Sequence, residues 1–109
     1  MTNPRFEALL DTMRRLHETK NHDYANDTNP YSNFEDAAAT AGCSVDTVFG
    51  VLVGVKLARL RELTAAGKTP QHEPIDDTRL DLAMYTALWA SYHLRLSYDD
   101  RQLASASSH

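Results

Sequence analysis

A chain of 109 residues holds one domain, and 42% apolar with 24% charged residues are ordinary globular proportions. With 11 basic against 15 acidic side chains the net charge is −4, so no basic face for duplex nucleic acid is built and that class of partner is not expected. One cysteine, Cys43, rules out an internal disulfide, and the longest apolar run, Val48–Val55, is far below the ~18 residues of a membrane span. With an amino terminus that lacks the apolar core of a signal peptide, a cytoplasmic address is expected, without membrane partners.

The sparse glycine and proline favour helices. Asn3 as N-cap and Pro4 in the first helical position open the first helix, and Phe6, Leu9, Leu10, Met13 and Leu16 follow one helical face. The pattern fades near residues 19–21. A polar stretch, residues 20–31, then reads as a long loop of the kind that carries function, with Asn29-Pro30 as a turn signal.

Ser32-Asn33-Phe34-Glu35 has a capping-box pattern and predicts a short helix over residues 33–41, stopped by Gly42. Ser44 caps a third helix, with Asp46 in its first turn and Gly67 past its end. A fourth opens at Glu73-Pro74 and runs to about Leu96. The expected architecture is all-α: one domain over residues 1–103, a small bundle of about four helices with the long polar loop between the first and second. Residues 104–109 read as a flexible tail.

The third helix is apolar almost all round from Val45 to Leu60, which predicts a central place. A second copy of the chain is a natural completion, and Trp89, Tyr85 and Tyr92 are candidates for that contact or for packing within one chain.

Two groups of charge sit where apolar residues are expected. At 100° per residue, Lys56 lies inside the stripe of Phe49, Leu52, Val53, Leu60 and Leu63, and Arg59 lies on its edge. On the fourth helix, Asp77 and Asp81 continue into Met84, Leu88 and Tyr92, the expected core face, while Arg79, Thr86 and His93 mark the opposite side. A buried cation without an anion costs several kcal/mol, so Lys56 must meet an acid or water. These charges either form an ion-pair network that fixes helix register or line a polar pocket. The loop favours the pocket, because Lys20, His22, Asp23, Tyr24, Tyr31 and Asn33 bring donors, acceptors and rings into one stretch.

Zinc and nucleophile motifs are not seen: there is no His-Glu-x-x-His, no paired cysteine, no glycine-rich phosphate loop and no nucleophile elbow. Taken together, Lys20-Asn21-His22-Asp23-Tyr24, Tyr31-Ser32-Asn33-Phe34, Lys56-Leu57-Ala58-Arg59-Leu60 and Glu73 with Asp77-Thr78-Arg79-Leu80-Asp81-Leu82-Ala83-Met84-Tyr85 resemble the nucleotide-modification-associated domain 1 family of phages and their hosts. The resemblance implies a small phosphorylated nucleotide as ligand, in modified-nucleotide metabolism or in sequestering a host-defence signal. Lys56 and Arg59 would meet phosphate, Tyr24 or Tyr31 would stack on a base, and Asn33, Asp77 or Asp81 would bond the base edge or ribose.

A more distant similarity is to the all-α nucleotide pyrophosphohydrolases. That implies an alternative, a magnesium-dependent hydrolase in which Glu73, Asp77 and Asp81 hold the ion. The acidic pair such enzymes carry on a neighbouring helix is replaced here by Lys56 and Arg59. A third reading is a helical interaction module without a small ligand.

Overall fold

A computed structural model describes residues 1–24, 29–67 and 72–94, and of residues 20–24 the backbone alone. Among the described residues all regular structure is helical: α1 (Pro4–Tyr24), α2 (Ser32–Ala41), α3 (Val45–Leu63) and α4 (His72–Tyr92). No single helix among them is long and apolar enough to cross a membrane. The expected tail, residues 104–109, lies outside the described residues.

The helix starts follow local chemistry. Asn3 Oδ1 accepts the backbone N–H groups of Arg5 at 3.0 Å and Phe6 at 3.2 Å, covering two donors that an α-helix leaves without partners. Ser44 Oγ does the same for Thr47 N–H at 3.1 Å. Between α2 and α3 the chain turns at Gly42, whose φ of 68° places it in the left-handed region. The Gly42 and Cys43 N–H groups bond back to Ala39 and Ala38 carbonyls, closing α2 as a Schellman-type end.

Three boundaries differ from expectation. α1 continues through Tyr24, so residues 20–24 are helix and not loop. The loss of apolar period there did not end the helix, since a helix needs no apolar face to propagate once nucleated. α2 begins at Ser32 with Tyr31 as N-cap residue, and no side-chain cap forms. Instead Asn29 Oδ1 accepts Tyr31 N–H at 3.0 Å, and Asn29 Nδ2 donates to Glu35, so Glu35 reaches back to Asn29 rather than to a serine cap. α4 stops at Tyr92, short of Leu96, as His93 and Leu94 N–H groups shift to carbonyls three residues back.

The core is a stack of rings. Phe49 of α3 is fully buried, with Phe34 of α2 at 4.4 Å on one side and Trp89 of α4 nearly parallel at 6.2 Å. Tyr92 lies 6.3 Å from Phe49 and takes Tyr31 edge-on at 5.0 Å. Trp89 and Tyr92 thus pack within one chain. Ala38, Ile75, Thr78 and Met84 complete the buried set among the described residues.

On α4 the expected core line holds at Met84, Leu88 and Tyr92 and fails at its first two members, Asp77 and Asp81. Ile75, Thr78 and Trp89 lie about 100° further round the helix. Asp77 is therefore exposed and Asp81 sits at the margin of the core.

Candidate functional site

Lys56 lies on the Phe49 side of α3 and is three-quarters covered, as its place in the apolar stripe requires. Its ammonium meets Asp81 Oδ2 of α4 at 3.0 Å, the two side chains being 25% and 32% exposed. The pair is only partly shielded, so its net contribution to stability stays near the small values of wet ion pairs.

Around it opens a cleft of about 450 Å³ between α3 and the first half of α4, lined by Lys56, Arg59, Glu73, Asp77, Thr78 and Asp81. Helical spacing puts Glu73, Asp77 and Asp81 on successive turns of one face. Arg59, Glu73 and Asp77 are exposed, and none has an ion-pair partner among the described residues. Thr78 forms a buried wall with its hydroxyl spent on the Pro74 carbonyl at 2.7 Å. The cleft thus joins the paired Lys56 and Asp81 with Arg59, Glu73 and Asp77.

Tyr31 and Asn33 stand apart from this cleft. Tyr31 donates to or accepts from Ser91 Oγ at 2.7 Å, ten residues and about 15 Å beyond Asp81 along α4. Its ring is engaged by Tyr92. Tyr31 therefore belongs to the packing of α2 on α4. Asn33 is an exposed residue of α2 and does not line the cleft. The side chains of Lys20, His22, Asp23 and Tyr24 lie outside the described ones.

The magnesium alternative requires Glu73, Asp77 and Asp81 to converge. They share a rim, but Asp81 is turned to Lys56, and among the described residues no three His, Cys, Asp or Glu side chains gather into a group able to hold an ion. Among the described residues, Glu73, Asp77 and Asp81 do not by themselves form a metal cage.

Two features were missed by sequence reasoning. Asp46, in the first turn of α3, accepts Trp89 Nε1–H at 2.8 Å and lies 2.6 Å from His93 Nε2, joining the start of α3 to the end of α4. His93, expected on a solvated face, is exposed and partners Asp46. Hydrogen bonds from Trp89 and then His93 hold the Asp46 carboxyl below its ordinary value of 3.8. The second is a mostly apolar groove of about 420 Å³ between α1 and the second half of α4, walled by Met13, Met84 and Leu88, with His17 and Tyr31 at its edge. Neither shows in any local pattern, since each depends on residues far apart in the chain.

Comparison with family models, curated proteins and solved structures finds no match for this chain.

Proposed function

We propose that the chain binds a small phosphorylated nucleotide in the cleft between α3 and α4. The observation that supports this reading is the joining in one open cleft of Lys56 and Arg59 with Glu73, Asp77 and Asp81. Arg59 offers a planar fork to phosphate oxygens, and Lys56 offers a point charge that an incoming phosphate shares with Asp81.

The carboxylates narrow the ligand. A cleft with two cations and three acids repels a bare anion, and favours a molecule that adds hydrogen-bond donors to its phosphate. Ribose hydroxyls and exocyclic amino groups are such donors. The resemblance to the nucleotide-modification family points the same way. Modified-nucleotide metabolism and capture of a defence signal are both uses for such a site.

Calorimetry of the whole chain against nucleoside mono-, di- and triphosphates and cyclic nucleotides tests the reading, with inorganic phosphate and pyrophosphate as controls. A nucleotide is expected to bind and the inorganic anions to bind at least tenfold more weakly. Lys56→Met is expected to weaken nucleotide binding by about 2–5 kcal/mol, the scale for truncating one member of a close charge pair. Flat titrations across the nucleotide series would remove the proposal. Equal binding of bare phosphate would remove the role given to the carboxylates.

A further inference from the structure

The cleft between α3 and α4 has an order along its length. The two helices run antiparallel, with Phe49 against Trp89 and Lys56 against Asp81. At that register Arg59 falls level with Thr78, and Leu63, the last residue of α3, level with Pro74. Both cations therefore stand beside the inner part of the cleft, from Thr78 to Asp81. Glu73 lies beyond them, level with the end of α3, and Asp77 lies between.

Distance agrees with a mononucleotide laid along this line. Glu73 precedes Asp81 by eight residues, which is about 12 Å along a helix axis. A phosphate held by Lys56 and Arg59 then leaves the ribose beside Asp77 and the base edge beside Glu73. Glu73 is exposed and has no ion-pair partner among the described residues, so no cation among them competes for it.

What Glu73 can take is narrow. A carboxylate accepts hydrogen bonds through two oxygens and donates none. Adenine and cytosine each set an amino group beside a ring nitrogen that is itself an acceptor. One carboxylate oxygen would gain a donor there and the other would meet a lone pair. Uracil and thymine set a single N–H between two carbonyls. Guanine alone among the common bases sets two donors side by side, its ring N–H and its 2-amino group. They form the same N–C–N fork with which arginine holds a carboxylate by two parallel bonds.

We propose that the cleft prefers a guanine nucleotide, with phosphate at Lys56 and Arg59, ribose hydroxyls at Asp77, and the ring N–H and 2-amino group of the base on Glu73. The proposal rests on the nucleotide reading given above and adds the identity of the base.

Calorimetric titration of the whole chain with the 5′-monophosphates of guanosine, inosine, xanthosine, adenosine, cytidine and uridine tests the assignment. GMP is expected to bind about tenfold or more tighter than AMP, CMP or UMP, the scale of one hydrogen bond to a charged group. IMP keeps the ring N–H, lacks the amino group and is expected to fall between. Glu73→Gln supplies a readout that misfolding cannot imitate. Glutamine offers one acceptor and one donor, and so matches xanthine, which has a carbonyl where guanine has its amino group. The variant is expected to lose about tenfold on GMP and to gain on XMP, with the circular dichroism of the wild type. Should the variant unfold, the base series on the wild type still decides. AMP, CMP, UMP or IMP binding as tightly as GMP would overturn the guanine assignment and leave the nucleotide reading standing. So would a folded Glu73→Gln variant that binds GMP as the wild type does. Absence of binding by every nucleotide would remove both.

Discussion

Asp46 shows how one exposed carboxylate can tie two helix ends together. Its pKa is depressed by the Trp89 indole N–H first and by His93 second, so the ionised form is favoured in the folded chain. A depressed carboxylate contributes stability that is fully present above its unfolded pKa, near 3.8, and is lost as pH falls through the lower folded value. Trp89 is the single tryptophan, and so reports on the contact directly. Its fluorescence is expected to titrate with a midpoint below 3.8 and to lose that step in Asp46→Asn, with circular dichroism followed in parallel. A midpoint at or above 3.8 would contradict the hydrogen-bonded geometry.

Lys56 answers to the same scale of reasoning. Because water reaches both members of its pair with Asp81, Lys56→Met is expected to change unfolding free energy by only about 1 kcal/mol or less. Denaturant titration checks this. A loss of about 3–5 kcal/mol, recovered when Asp81→Asn is added, would describe a dry pair whose purpose is register rather than ligand.

At the scale of elements, the helix starts were legible because their determinants are local. Asn3 and Ser44 act on backbone groups two or three residues away, and Gly42 acts on its own φ. The α2–α3 corner can be weighed by substitution. Gly42→Ala meets no steric neighbour, so its expected cost of about 1–2 kcal/mol is backbone strain alone. Ser44→Ala is expected to cost about 1 kcal/mol through the lost cap. Urea melts of each variant measure both, and the two should add imperfectly because the sites are neighbours.

What sequence pattern did not deliver was decided by contacts between elements. Capping-box spacing named Ser32, but Asn29 took the reach of Glu35 from outside the helix. Lys56 was found because its stripe is unambiguous. On α4 the line through Asp77 and Asp81 was one edge of the buried arc, and the ring of Trp89 against Phe49 set the centre elsewhere. Tyr31 drew notice as a ring in a polar stretch. Its hydroxyl was claimed by Ser91, sixty residues on, a partner that no local reading supplies.

For the whole molecule, the measure is how little of it is covered. Among the described residues only Ala38, Phe49, Ile75, Thr78 and Met84 are buried, and Phe6 and Leu10 of α1 add to the exposed apolar surface. A core this small supports little free energy against chain entropy, so the ring stack around Phe49 carries a large share of it.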